Sequence, residues 1–144
     1  TGDMLPRMIE RAAQLGMADK FIFPGFVNRE EVMKLNKIAD VFVMPSVSEP
    51  FGLVPLEAMA QETPAIISKQ SGVSEVLNHV LKVDFWDVND IANKIIAVLH
   101  YRSLNVELKQ HGFTEVRSMT WDVPAAKCIS VYGELLRGKS SGGG

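Results

Sequence analysis

Four short runs of mostly apolar residues punctuate this chain: Phe21-Ile22-Phe23, Val41-Phe42-Val43-Met44, Pro64-Ala65-Ile66-Ile67-Ser68 and Leu81-Lys82-Val83-Asp84-Phe85. Between them lie stretches whose apolar residues recur at helical spacing. A strand with one face in water alternates apolar and polar residues, whereas a nearly continuous apolar run belongs in a parallel sheet covered on both faces. The regular alternation of such strands with helices and turn residues therefore predicts an α/β fold with a mostly parallel sheet flanked by helices and joined by right-handed crossovers.

The helices are read from spacing and caps. Leu5, Ile9, Ala12 and Leu15 form one amphipathic stripe, with Asp3 placed to cap it, Pro6 tolerated in the first turn and Gly16 at its end. Asn28 followed by Glu31 is a capping-box pattern, and Val32, Leu35 and Ala39 supply the next buried stripe. A helix from about Leu53 to Gln61 and a short helical turn from Ser71 to Asn78 follow. Asp87 with Asp90 starts a helix that buries Ile91, Ile95, Val98 and Leu99. Leu104 to Met119 is helical with Gly112 as a weak point. Thr120 or Asp122 caps a last helix with Ala125, Ile129, Tyr132 and Leu136 on its buried side. Residues 1–137 make one partial domain, and Gly138 to Gly144 reads as a flexible linker or added tail.

Composition narrows the classes of function. With 47% hydrophobic and 22% charged residues over 144 positions, the chain suits a globular domain with a real core. A formal charge of −2 supplies no basic field, so nucleic acid is not an expected partner. Cys128 is the single cysteine, which excludes an internal disulfide and a cysteine-based zinc cluster; its apolar neighbours make it a small core residue. No apolar run approaches the ~20 residues of a membrane helix. No signal peptide opens the chain, although Thr1-Gly2-Asp3 does not read as a natural start, and a reducing, cytoplasmic setting is expected.

The segment Ser48-Glu49-Pro50-Phe51-Gly52-Leu53-Val54-Pro55-Leu56-Glu57-Ala58-Met59-Ala60 stands at the exit of the second strand. Ligands of open parallel sheets bind beyond the carboxyl ends of the strands. Here glycine permits close backbone approach, the helix start presents unpaired N–H groups, and two carboxylates flank the turn. The residues alone leave two readings open: an anion cradle between two acceptors, or a plain loop leading into a helix whose early glutamate complements the dipole.

Glu49 to Ala60 resembles the Glu-x7-Glu signature of the retaining glycosyltransferases called group 1, or family 4, of GT-B fold. Asp40-Val41-Phe42-Val43-Met44-Pro45-Ser46 before it, Thr63-Pro64-Ala65-Ile66-Ile67-Ser68 after it, and Phe21 to Val27 upstream are similar to further family motifs in the same register, as are Trp121 and Tyr132 in the closing helix. The resemblance implies the Rossmann-like, donor-binding half of such an enzyme, truncated at its amino end. It implies that Glu57 accepts hydrogen bonds from the donor's ribose and that Glu49, the candidate catalytic residue, contacts the donor sugar. Amides around Phe51, Gly52 and Leu53 would face sugar and diphosphate, and the loop at Gly25 would lie near the base. The implied reaction moves a hexosyl group from a UDP- or GDP-sugar to a sugar or lipid-linked hydroxyl acceptor, without a metal or other cofactor. No Asp-x-Asp metal motif is present.

The chain departs from the family in instructive places. Gln61-Glu62 stands where a small residue and glycine are usual, and Ser71-Gly72 replaces Gly-Gly. The family's diphosphate-binding Arg and Lys fall before Thr1, and Lys69 and Lys82 occupy other motif positions, so this chain alone is expected to be inactive. The strands implied upstream are central ones in the doubly wound order. Phe21 to Phe23 then lacks neighbours, and exposed edges favour a homo-oligomer. His79, His100 and His111 read as surface or packing residues, Trp86 and Trp121 as core or helix-start anchors, and Glu75 as a loop support. Two other functions fit the same residues: a GT-B nucleotide-sugar epimerase and a non-catalytic nucleotide-sugar-binding module.

Overall fold

The computed structural model describes residues 2–140. In chain order its elements are α1 (Leu5–Gln14), α2 (Arg29–Ile38), β1 (Phe42–Met44), α3 (Leu53–Met59), β2 (Ala65–Ser68), β3 (Leu81–Val83), α4 (Val88–His100), α5 (Arg102–Ser118) and α6 (Asp122–Ser140), with 3-10 turns at Ala18–Lys20 and Gly72–Glu75. The chain divides into two compact units, one of residues up to Leu35 and one from Asn36 onward.

In the first unit α1 begins at Leu5 with Met4 at the N-cap position and no side-chain cap, so Asp3 does not take the role expected of it. Of the α1 stripe only Ala12 is buried, while Ile9 and Leu15 are exposed. Phe21-Ile22-Phe23 does not form a strand. A strand needs neighbouring backbone to satisfy its N–H and C=O groups, and no partner strand meets this run among the described residues; Ile22 is 89% exposed. The capping box at α2 forms as its spacing predicts. Asn28 donates its backbone N–H to Glu31 Oε2 at 2.8 Å, and Glu31 returns its own to Asn28 Oδ1 at 3.0 Å. The α2 stripe is only partly covered, with Val32 half-buried and Leu35 exposed.

The second unit is built on a three-stranded parallel sheet in the order β1-β2-β3. Phe42 pairs with Ala65 and Met44 with Ile67; Ile66 pairs with Leu81 and Ser68 with Val83. All four residues of β2 are buried, as a continuous apolar central strand requires. Ala65 and Ile67 pack on one face with Met59, Val73, Leu77 and Val80, and Ile66 packs on the other with Val83, Val98 and Leu108. Period two along β2 thus divides one apolar run between two cores. The α4 start follows its sequence cue, Asp90 N–H donating to Asp87 Oδ1 at 2.9 Å.

Two expectations about the carboxyl-terminal helices change. Gly112 is not simply a weak point in α5, because a Cβ there would meet Met59 Cε at 3.1 Å and His79 O at 3.5 Å. Its missing side chain lets α5 approach α3, and α5 contributes Leu108 to one core and Val116 to the other. In α6 the residues expected inside are outside: Ala125, Ile129, Tyr132 and Leu136 are exposed, as are Cys128, Trp121 and Trp86. Apolar positions Val123, Val131 and Leu135 spread the hydrophobic surface around α6 rather than confining it to one stripe, so spacing alone does not define a buried side. The α6 helix continues through Gly138 to Ser140, where a linker was expected to begin, and 141–144 lie outside the described residues. No helix among the described residues is long and apolar enough to cross a membrane.

Candidate functional site

Parallel strands deliver their following loops to one edge of the sheet, and here β1, β2 and β3 end at Met44, Ser68 and Val83. Pro45 and Pro50 keep the segment after β1 out of regular structure, and Gly52 then starts α3. The loop after β1 is held by the loop after β2. Glu49 and Ser71 form a parallel bridge, Gly72 donates its N–H to Glu49 O at 3.0 Å, and Val73 donates to Phe51 O at 2.8 Å. The fit leaves no room for a side chain at Gly72, whose Cβ would lie 2.0 Å from Pro50 O. Ser71 is accommodated beside it because its buried hydroxyl donates to Ser68 O at 2.7 Å.

Gly52 is buried with φ +85° and ψ 87°, a backbone conformation that residues with a Cβ rarely adopt. A Cβ there would meet Glu49 Cγ at 3.0 Å, Met44 Cε at 3.3 Å and Glu49 Cδ at 3.6 Å. The Glu49 side chain therefore lies against the Gly52 backbone at the start of α3. No side chain caps that start, and the first amides of a helix have no intrahelical partner. Glu49 and Glu57 are both half-buried. The side chains of Phe51 and Leu53 are exposed. Gly25, with φ +75° and nothing within 4 Å of where a Cβ would stand, belongs to the first unit, and Glu49 to Glu57 belong to the second.

At the neighbouring strand ends an ion pair not foreseen from sequence joins β2 to β3. Lys69 Nζ lies 2.8 Å from Asp84 Oδ2, and Gln70 Nε2 donates to Asp84 Oδ1 at 3.0 Å. These two hydrogen bonds, the lysine's first, hold the Asp84 carboxyl below its ordinary range, and Asp84 in turn raises the pKa of Lys69. Fifteen positions separate the two residues, so only the strand register brings them together. Elsewhere, His79 and His111 stack with ring centroids 5.2 Å apart, as packing residues. Among the described residues no group of three or more His, Cys, Asp or Glu is placed to hold a metal ion.

The glycosyl transferases group 1 profile matches residues 1–114. The chain belongs to this family. An uncharacterized glycosyltransferase of Methanocaldococcus jannaschii is 48% identical over 137 residues, covering 92% of this chain and 35% of that protein. Among solved structures, sucrose-phosphate synthase from Thermosynechococcus elongatus superposes with a TM-score of 0.78 at 29% identity, covering 92% of this chain and 34% of that one. The C-terminal domain of a group 1 family protein from Francisella tularensis gives 0.73 at 26% identity, covering 82% and 64%. The architecture is the Rossmann-like α/β arrangement of GT-B glycosyltransferases, and this group 1 domain spans about a third or less of the length of the curated relatives that it matches.

Proposed function

We propose that the second unit is the nucleotide-sugar-binding half of a retaining glycosyltransferase that moves a hexosyl group from a nucleoside diphosphate sugar, such as a UDP- or GDP-sugar, to a hydroxyl acceptor. The observation that carries the reading is the placement of Glu49 against left-handed Gly52, at the uncapped start of α3 and beyond the carboxyl end of β1. A carboxylate there accepts hydrogen bonds from the sugar hydroxyls. Glu57, further along the same short helix, accepts them from the two hydroxyls of the ribose. The amides of Phe51, Gly52 and Leu53 lie between these acceptors and face the diphosphate.

The chemical task is to stabilise negative charge on the departing nucleoside diphosphate while the acceptor hydroxyl adds on the same face of the anomeric carbon. Fixed N–H groups accomplish this without reorganising during the reaction. Family membership and the rigid backing of the 49–52 loop by Gly72 and Val73 support the proposal. The reaction as proposed uses no metal, its diphosphate cations come from the remainder of the protein, and the enzyme works in the cytoplasm.

Titration of the chain with UDP and with GDP, followed by NMR, tests the reading. One of them is expected to shift amides at Gly52 and Leu53, and Glu57→Ala is expected to abolish the response. Glu49→Ala is expected to leave nucleoside diphosphate binding intact and to weaken the nucleotide sugar alone. Nucleotide binding that survives Glu57→Ala unchanged would overturn the assignment.

A further inference from the structure

We propose that Asp84 is a positioning residue for the donor loop: through Lys69 and Gln70 it holds the segment 69–73, whose Gly72 and Val73 in turn hold the backbone of Glu49 and Phe51. The proposal rests on the reading of the 49–57 segment as a donor site, but the brace itself is geometric. Asp84 follows the last residue of β3 and is the point where three side chains meet. Each carboxylate oxygen has its own donor, Lys69 Nζ on Oδ2 and Gln70 Nε2 on Oδ1. The Gln70 amide is itself oriented, because Ser68 Oγ donates to Gln70 Oε1 at 2.7 Å.

The same segment is tied down along its backbone. Lys69 N–H donates to Val83 O at 2.8 Å, and Ser74 Oγ donates to Lys69 O at 2.8 Å. From this fixed base Gly72 N–H reaches Glu49 O and Val73 N–H reaches Phe51 O. The side-chain part of the brace is open to water, since Lys69 and Gln70 are exposed and Asp84 is half-buried. Exposed ion pairs contribute little to global stability. The consequence of breaking this one is therefore local: the segment 69–73 samples displaced positions more often and the donor loop loses its backing, while the sheet stays intact. Beyond the brace itself, Lys94 acts on the Asp84 charge and Asp90 and Asp87 act on the Lys69 charge, and Lys94 is already engaged with Lys82 O and Asp90 Oδ2.

Residue-resolved hydrogen exchange on the 144-residue chain tests the brace without reference to a ligand. Asp84→Asn and Lys69→Met are each expected to raise exchange at Gly72 and Val73 by about fivefold, with Ile66 and Ile67 of β2 unchanged. The double variant is expected to add little to either single one, as residues acting through one contact do, and Lys69→Arg is expected to restore protection. Unchanged exchange at Gly72 and Val73 in both single variants overturns the proposal, and so does a parallel loss across β2, which would mark a merely structural pair. Titration with UDP and GDP separates the two readings: weaker binding in Asp84→Asn alongside faster exchange supports both. If wild type binds neither nucleotide, the donor-site reading fails while the exchange result still decides the brace.

Discussion

Gly72 donates its N–H to the carbonyl oxygen of Glu49 at 3.0 Å from a position where any Cβ would stand 2.0 Å from the carbonyl oxygen of Pro50. Both sides of that contact are backbone, so neither can swing aside as a flexible side chain would. Gly72→Ala is expected to separate the two loops and to destabilise the second unit by about 1–3 kcal/mol, the range for an overpacked position. Urea unfolding of wild type and variant measures it, and an unchanged midpoint would contradict the geometry.

At Gly52 the constraint is conformational as well as steric. Alanine at φ +85° is strained by roughly 1–2 kcal/mol, and its methyl group would press on Glu49 Cγ at 3.0 Å. Gly52→Ala is expected to move the Glu49 carboxylate and to weaken a bound nucleotide sugar more than the corresponding nucleoside diphosphate. Parallel titrations with the two ligands measure the difference; equal losses would show that Glu49 is not the sugar contact.

Glu115 ties α5 to the loop before β3. Its Oε1 accepts from the backbone and side-chain nitrogens of Asn78, and its Oε2 accepts from the backbone N–H of His79, all at 2.9 Å. Partial burial opposes its charge, yet the backbone N–H groups of His79 and Asn78 and their side chains outweigh it and bring the pKa below the ordinary 4.5. A depressed carboxyl pKa stabilises the fold above the unfolded value and loses that contribution as pH falls through the folded one. Glu115→Ala is expected to cost about 1–3 kcal/mol near neutral pH, with the gap from wild type closing once the pH drops below 4.5. Denaturation at pH 7 and at acid pH checks the sign.

Gly112 faces a more yielding neighbour than Gly72 does, because Met59 Cε is the free end of a flexible chain. Gly112→Ala gains about 0.8–1 kcal/mol of helix propensity and gives some of it back in crowding, so its stability is expected to stay close to wild type. Gly112→Val adds bulk against His79 O and Met59 together, and a loss of about 1–3 kcal/mol is expected. A valine variant as stable as wild type would mean that α5 is not closely packed there.

Cys128 is exposed on α6. It is expected to react with a thiol reagent at the same rate in the native chain and in urea, within about a factor of three, since an exposed thiol is open to the reagent in both. Strong protection in the native state would place it in the core that its apolar neighbours suggested.

By itself the sequence determined the local and the repeated: the α/β class from strands too apolar for a half-exposed sheet, the caps of α2 and α4, and the loop with Glu49 and Gly52 that leads into the helix with Glu57. Those features depend on neighbours a few residues apart, where spacing and side-chain chemistry are sufficient. Tertiary structure decided what depends on a distant partner. Phe21 to Phe23 has the composition of a buried strand and forms none, because a strand exists only where another backbone meets its hydrogen-bonding groups. The α6 residues have helical spacing, but burial requires a facing surface and they remain exposed. Gly72 against Pro50 and Lys69 against Asp84 join segments that only the parallel register brings together, and no pattern within either segment encodes the other.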